Sequence, residues 1–148
     1  MINKKKSNEF VKFFKNYTLT LSNTIDKINL RNLYKAANLI LKTIKKNKFI
    51  YVCGNGGSAA IANHYICDYF KGLSKYTNLK AKIKSLNSDS YLISAISNDI
   101  AYDQIFKLQA ERYMNKEDIL ILISSSGNSK NIKEVLKFCN KKKLKTIG

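Results

Sequence analysis

Four serines lie close together in the stretch Ser124-Ser125-Ser126-Gly127-Asn128-Ser129, which we call the serine loop. The apolar run at 118–123 predicts a buried strand before the loop, and the periodicity of 129–142 predicts a helix after it. The first N–H groups of a helix lack intrahelical partners and carry partial positive charge, so this layout favours binding of an anion such as phosphate. No residue of the loop is charged, which indicates binding by hydrogen-bond dipoles rather than by a salt bridge. The alternative is an ordinary helix cap and turn, because Ser and Asn are favoured at both.

A second loop of similar placement, Gly54-Asn55-Gly56-Gly57-Ser58, follows the apolar run at 49–53 and precedes a helical pattern; we call it the glycine loop. Its spacing matches neither the dinucleotide fingerprint nor the P-loop. Asn55 and Ser58 are candidates for hydrogen bonds to a polyol, while Gly56 and Gly57 allow a ligand to approach the backbone closely. The alternative is a glycine turn without a ligand. In a parallel sheet, both loops would lie at the carboxyl ends of strands, where ligands bind.

His64 and Asp68 stand four residues apart in the helical segment after the glycine loop, and therefore on one face of it. His64 is the only histidine of the chain. Such a pair can bind a divalent metal or transfer a proton. The alternative is a hydrogen bond between the two side chains at the surface, and two ligands do not complete a zinc site.

Asn98 and Asp99 form a polar pair between two predicted helical segments. One interpretation places both side chains in the cleft that the two loops would border. The other makes Asp99 the N-cap of the next helix.

The elements that must position these residues alternate along the chain. Strands are predicted at 49–53, 81–86, 118–123 and 144–147, and helices at 7–23, 28–46, 58–71, within 88–97, within 102–114 and at 129–142. This alternation predicts an α/β fold with a parallel sheet and right-handed crossovers. The first two helices carry aromatic and aliphatic side chains at helical spacing, which suits either a subunit interface or extra packing on the same core.

The organisation predicted is a single domain over 1–148, with N-terminal helices in 1–47 and the parallel α/β core in 48–148. Because such a sheet normally closes with a strand and a covering helix, we expect a last strand and helix to be missing after Gly148.

Composition restricts the class of protein. The net charge of +17 comes almost entirely from lysine, with arginine only at 31 and 112, so a compositional bias spread over solvated faces is favoured over nucleic-acid recognition. A general attraction for anionic sugar phosphates stays open. The three cysteines have no paired spacing, and the chain shows no signal peptide and no apolar run of about 20 residues. We therefore expect a cytoplasmic protein with reduced thiols and no membrane span.

Taken in order, the glycine loop, His64, Ser97-Asn98-Asp99, the serine loop and Asn131 resemble the sugar isomerase (SIS) domain, and specifically the phosphoheptose isomerase family. The resemblance implies a flavodoxin-like parallel sheet with helices on both faces, and a homotetramer with active sites at subunit interfaces. It implies interconversion of sedoheptulose 7-phosphate and D-glycero-D-manno-heptose 7-phosphate, in the synthesis of heptose precursors of lipopolysaccharide or capsule.

The resemblance also implies roles for individual residues. The serines would hold the phosphate: Ser124, Ser125, Ser126 and Ser129. Other residues would line the sugar: Asn55, Gly56, Gly57, Asn98 and Asp99. His64 would bind Zn²⁺ together with Asp68, which would also be the catalytic base. The family has a Glu at position 68, and the shorter Asp withdraws the carboxylate by more than about 1 Å, a misplacement that can cost about 10²-fold in rate.

The family pattern includes a Gln and a His on a C-terminal helix, and no residue of this sequence fills either role. An alternative function is therefore a non-catalytic SIS module that binds a sugar phosphate or a partner protein, like the relatives that act on the replication initiator. A third possibility, binding of nucleic acid through the lysines, predicts a steep salt dependence.

Overall fold

The computed structural model describes residues 4–148, with side chains from Lys6 onward. The helices are α1 (Lys4–Asp26), α2 (Leu30–Lys45), α3 (Gly57–Cys67), α4 (Ser74–Tyr76), α5 (Ser90–Asp99), α6 (Ile105–Tyr113) and α7 (Lys130–Lys141). The strands are β1 (Phe49–Gly54), β2 (Lys82–Ser85), β3 (Ile119–Ile123) and β4 (Lys145–Ile147). The chain divides into two compact units, one ending at Ala37 and the other running from Asn38 to Gly148.

The second unit contains a four-stranded sheet in the order β2-β1-β3-β4, and every neighbouring pair is parallel. This confirms the predicted flavodoxin-like α/β fold. The order places β1 and β3 side by side. The chain leaves β1 towards β2 on one side of this pair, and it leaves β3 towards β4 on the other side. The sheet therefore has a topological switch point between β1 and β3, and the crevices that bind ligands in such folds form at that point.

Helices cover both faces of the sheet because side chains alternate along each central strand. Tyr51 and Cys53 of β1 belong to a core cluster that contains residues of α5, α6 and α7. Ile50 and Val52 of the same strand belong to a second cluster, with residues of α2 and α3. All four side chains are buried, as a continuous apolar strand predicts for the centre of a parallel sheet.

The unit that ends at Ala37 consists of α1 and the first part of α2. Apolar side chains are exposed along α1: Phe10, Phe13, Phe14, Tyr17, Leu21 and Ile25. These residues include the helically spaced face that the sequence predicted. We call this set the α1 apolar face.

One predicted helix differs in the structure. The segment 58–71 was expected to be a single α-helix, but α3 ends at Cys67 and a π-helical segment, Asp68–Leu73, follows. The wider turn shifts each backbone hydrogen bond by one residue. Over two turns, the apolar spacings of an α-helix and a π-helix are too similar for the sequence to separate them.

Within residues 4–148, no helix combines the length and the apolar character needed to cross a membrane.

Candidate functional site

The glycine loop and the serine loop follow neighbouring strands at one edge of the sheet. Gly54, the first residue of the glycine loop, pairs with Ile123, the residue directly before the serine loop. Because β1 and β3 border the topological switch point, both loops open onto the place where parallel sheets bind ligands. The structure thus brings together the two loops that the sequence singled out separately.

The start of the glycine loop is held by a side chain from the segment after β2, which flanks β1 on the side opposite β3. Asn87, two residues after β2, accepts a hydrogen bond from the Gly54 N–H at 3.0 Å and donates one to the Gly54 carbonyl at 2.9 Å. The N–H of Asn87 itself donates to Ser85 Oγ at 3.1 Å. A side chain at Gly54 has no room, since a Cβ there would lie 2.6 Å from Ser58 Cβ. The glycine loop therefore leaves the sheet in a fixed direction.

The turn itself leaves its backbone open. Ser58 N–H donates to the Asn55 carbonyl at 2.9 Å, and Gly56 takes a positive φ of 53° at the start of α3. No side chain caps this helix end. A Cβ at Gly56 or Gly57 would meet nothing within 4 Å. The structure therefore leaves open space beside the two glycines, and that a ligand approaches there stays a prediction.

The side chain of Asn55 is engaged within the protein. Its Nδ2 donates to Asn131 Oδ1 at 2.8 Å, and its Oδ1 accepts from Asn131 Nδ2 at 2.8 Å. The hydroxyl of Tyr102 also donates to Asn55 Oδ1, at 3.2 Å. These bonds join the glycine loop to α7 and to the short 3₁₀ helix Tyr102–Gln104 that precedes α6.

The serine loop uses its hydroxyl oxygens to order its own backbone. Ser124 Oγ accepts from the Gly127 N–H at 3.2 Å, and Ser126 Oγ accepts from the Asn128 N–H at 3.1 Å. Gly127 has a φ of 63°, in the region that favours glycine. A hydroxyl that accepts a hydrogen bond still has its own hydrogen to donate. The loop is therefore shaped by bonds that leave the Ser124 and Ser126 O–H groups free for an anion.

The serine loop ends at the N-terminus of α7. Ser129 is the N-cap, and its side chain makes no capping hydrogen bond, so this hydroxyl is also uncommitted. Lys133 lies one turn into α7, and its Nζ donates to Asn128 Oδ1 at 2.9 Å. Lys133 thus places a positive charge beside a loop that has no charged residue. An anion bound by the loop would be attracted by this charge as well as by hydrogen-bond dipoles.

His64 and Asp68 face each other on the helix after the glycine loop. His64 Nε2 lies 3.3 Å from Asp68 Oδ1, and the side chains are 72% and 64% exposed. Asp68 is the first residue of the π-helical segment, a feature that is frequent at functional sites. Across the described residues 4–148, no group of three or more His, Cys, Asp or Glu side chains is placed to bind a metal ion. The pair thus supplies two donors suited to Zn²⁺ and does not form a complete site.

Asn98 and Asp99 are the last two residues of α5, so the prediction that they lie between two helices is wrong. The interpretation of Asp99 as the N-cap of the next helix is wrong too, because Ala101 has that position. The α5 helix continues beyond residue 97 because the backbone hydrogen bonds continue, and the N–H of Ile100 still donates to the Ile96 carbonyl at 3.0 Å. Asn98 Nδ2 donates to Asp99 Oδ1 at 2.8 Å, and both residues are exposed.

The cysteine beside the glycine loop is not a nucleophile. Cys53 is the last β1 residue before Gly54 and is fully buried, and burial raises the pKa of its thiol far above the ordinary range. Burial also raises the pKa of the Cys139 thiol, to about 11. Both thiols are therefore protonated at neutral pH and act as core side chains.

Four residues that order this site received no role from the sequence: Asn87, Tyr102, Asn131 and Lys133. Asn131 was part of the motif series, but its pairing with Asn55 joins positions 76 residues apart. The signal available for Asn87 was its place directly after a short strand. The contacts of Asn87, Tyr102 and Asn131 join residues far apart in the sequence, so local spacing does not predict them.

Comparison with known proteins gives a family match over most of the chain. A family model described as the SIS domain matches residues 12–148. The phosphoheptose isomerase of Aliarcobacter butzleri is 36% identical over 138 residues, covering 93% of this chain and 72% of the relative. That of Helicobacter pylori strain P12 is 36% identical over 116 residues, covering 78% of this chain and 60% of the relative. A Buchnera aphidicola phosphoheptose isomerase is 40% identical over 123 residues, covering 82% and 62%.

Solved structures agree with these alignments. A phosphoheptose isomerase from Francisella tularensis superposes with a TM-score of 0.82 at 25% identity, covering 95% of this chain and 73% of that one. The isomerase GmhA from Neisseria gonorrhoeae superposes with a TM-score of 0.80 at 29% identity, covering 94% and 72%. For two of the three curated relatives above, the chain spans only 60% and 62% of their length.

Proposed function

Because the chain belongs to the SIS domain family, and within it to the phosphoheptose isomerases, we propose that it interconverts sedoheptulose 7-phosphate and D-glycero-D-manno-heptose 7-phosphate. The observation that carries the proposal is the pairing of Gly54 with Ile123, which sets the glycine loop beside the serine loop. One loop suits a phosphate and the other a polyol, and a sugar phosphate needs both at once.

The phosphate would be bound by the serine loop. The hydroxyls of Ser124 and Ser126 keep their hydrogens for donation, and the Ser129 hydroxyl is not used for capping. Ser125 is exposed in the same loop. The N-terminus of α7 adds partial positive charge, and Lys133 adds a full one nearby.

The sugar would be bound by the glycine loop and its neighbours. Gly56 and Gly57 leave the backbone open, and Ser58, the second residue of α3, follows them directly. Asn98 and Asp99 are exposed at the end of α5, close in sequence to Tyr102, whose hydroxyl contacts Asn55. Their hydroxyl, amide and carboxylate groups match the donors and acceptors of a polyol.

Proton transfer would be the task of Asp68. Its carboxylate takes the proton from the carbon next to the sugar carbonyl, an enediol(ate) forms, and a proton returns to the neighbouring carbon. His64, 3.3 Å away, holds the carboxylate in place on the outer face of the helix. Hydrogen-bond donors of the site stabilise the oxyanion that develops on the carbonyl oxygen.

Zinc enters the proposal only as a metal that His64 and Asp68 would bind. An imidazole and a carboxylate are donors that zinc accepts, and the metal would polarise the carbonyl oxygen. Two donors do not make a zinc site, and residues 4–148 supply no cluster of three.

We also propose that the chain is one cytoplasmic SIS domain that assembles as a homotetramer, in a pathway to heptose precursors of lipopolysaccharide or capsule. The family match runs across the boundary of the two compact units, which supports one domain. The α1 apolar face supports an oligomer, since apolar patches of this kind mark interfaces. Exposed His64 and Asp68 support an active site that a neighbouring subunit covers. The unpaired cysteines support a reducing compartment.

The test is an isomerase assay of the purified protein with sedoheptulose 7-phosphate, with and without added zinc. We expect turnover, and loss of phosphosugar binding in the double variant Ser126→Ala, Ser129→Ala. Ser94→Ala, an exposed serine of α5, is the matched control and should bind normally. Binding without turnover would support the non-catalytic SIS module instead, and absence of binding would refute both.

A further inference from the structure

Asn131 is a buried polar residue that no part of the proposed chemistry uses. It is the second residue of α7, is 2% exposed, and makes three hydrogen bonds with its side chain. Two of them go to Asn55 in the glycine loop, and the third comes from the backbone N–H of Ile132 to Asn131 Oδ1 at 2.9 Å. A buried amide is stable only when its groups are paired, so this arrangement is tightly specified.

The Ile132 N–H determines the direction of the whole network. A backbone N–H can only donate, so the Asn131 atom that faces it must be the oxygen. That oxygen also faces Asn55, so the Asn55 atom opposite it must be the nitrogen. The remaining pair is then Asn131 Nδ2 with Asn55 Oδ1. The orientation of both amides therefore follows from one helix N–H.

This orientation restricts what Asn55 can offer a ligand. Asn55 Oδ1 accepts from Asn131 Nδ2 and from the Tyr102 hydroxyl, and these two bonds fill its two lone pairs. Asn55 Nδ2 gives one hydrogen to Asn131 and keeps the other. Asn55 is thus left with one free donor and no free acceptor.

We propose that Asn131 is a positioning residue that acts through Asn55. It holds the Asn55 amide so that a single N–H is presented to an oxygen of the sugar phosphate, and it ties this donor to the helix whose N-terminus serves the phosphate. The proposal rests on the proposed function, because it assumes that the serine loop binds phosphate and the glycine loop binds sugar.

The kinetic test is a cycle of Asn131→Ala, Asn55→Ala and the double variant. We expect each single change to lower kcat/KM by about 10- to 100-fold. The double variant should be no worse than Asn55→Ala alone, because Asn131 acts only through Asn55. Losses that multiply would overturn the proposal. Asn140→Ala, an exposed asparagine of the same helix, is the control.

A second test does not depend on turnover. Sedoheptulose 7-phosphate is titrated and left to reach equilibrium at each step, while the backbone amides of the serine loop and the side-chain amide of Asn55 are followed by NMR. We expect both to shift in the wild type, and only the serine loop to shift in Asn131→Ala; Asn131→Asp replaces this variant if it does not fold.

The outcomes separate the two hypotheses. No shift of the serine loop in the wild type refutes the phosphate site, and with it this proposal. Shifts of the serine loop without a response of Asn55, or an Asn55 response that survives in the Asn131 variant, refute the positioning role alone.

Discussion

The side-chain amide of Asn87 brackets the backbone of Gly54, accepting from its N–H and donating to its carbonyl at 3.0 and 2.9 Å. The two residues belong to neighbouring strand ends, because Asn87 follows β2 and Gly54 ends β1. Asn87 thus makes the hydrogen bonds that a continued β2 would have made. The glycine loop therefore starts from a fixed point while its following residues remain open.

Asn87→Ala should loosen the glycine loop. Loss of both bonds leaves two backbone groups of Gly54 without partners, at a cost of about 1–3 kcal/mol in the free energy of unfolding. Hydrogen exchange of the Gly54 amide should accelerate, and urea denaturation should show the loss. Asn140→Ala should change neither quantity. Unchanged exchange at Gly54 in the Asn87 variant would contradict the role of this contact.

Gly57→Ala should impair ligand binding without a loss of stability, whereas Gly127→Ala should lower the stability of the fold. Gly57 lies in open space at the start of α3 with no strained φ, so alanine there should be tolerated but should block ligand approach. Gly127 has a φ of 63°, so alanine there should cost about 1–2 kcal/mol. Thermal denaturation and phosphosugar titration of both variants provide the check. A Gly57 variant that binds normally would remove the glycine loop from the site.

Asp68→Asn should separate stability from activity. The His64–Asp68 pair is mostly exposed, and surface pairs contribute at most about 1 kcal/mol. The melting temperature should therefore barely change, whereas the amide cannot take a proton and isomerisation should be abolished. Asp68→Glu restores a carboxylate and should retain turnover. Full activity in Asp68→Asn would exclude this residue as the base.

Stability should decline at alkaline pH. Burial raises the pKa of Cys139 from 9.0 to about 11. Burial, followed by the charges of Asp118 and Tyr113, raises the pKa of Tyr51 from 10.0 to about 12. The unfolded chain loses these protons at lower pH than the folded one, so the stabilisation is complete below pH about 9 and is lost as pH rises towards 11–12.

Urea denaturation across this alkaline range measures the decline in stability. Cys139→Ala should make the decline of stability with pH shallower. Equal slopes for the wild type and the Cys139 variant would show that this thiol ionises equally in both states.

Phe14→Glu should dissociate the proposed oligomer. The substitution places a charge on the α1 apolar face, where Phe14 is 57% exposed. Asn16→Glu adds the same charge to another side of the same helix and is the control. Sedimentation velocity should show a smaller species only for the Phe14 variant. A wild-type protein that sediments as a monomer would refute the tetramer.

Much of the framework was predictable because it follows from local patterns. The apolar run around Tyr51 and Cys53 indicated a strand buried on both faces, and both side chains are buried in the structure. The periodicity of 129–142 indicated a helix, and the structure has α7 there with Ile132, Val135 and Cys139 on its buried face. Such patterns are set by side-chain periodicity, which the sequence contains directly.

Other features depended on backbone hydrogen bonding and on packing, which side-chain periodicity does not encode. The π-helical turn at Asp68 arises from a one-residue shift in backbone bonding. The place of Asn98 and Asp99 at the end of α5 depended on where a helix stops, and helix ends depend on neighbouring packing as well as on capping residues.

The sequence by itself determined which residue types stand at strand ends: hydroxyls and glycines with the backbone freedom to approach an anion and a sugar. Only the tertiary structure decided that Gly54 and Ile123 are neighbours, and that Asn55 shares its amide with Asn131. The physical reason is that strand order and amide orientation arise from packing and hydrogen bonds between distant segments.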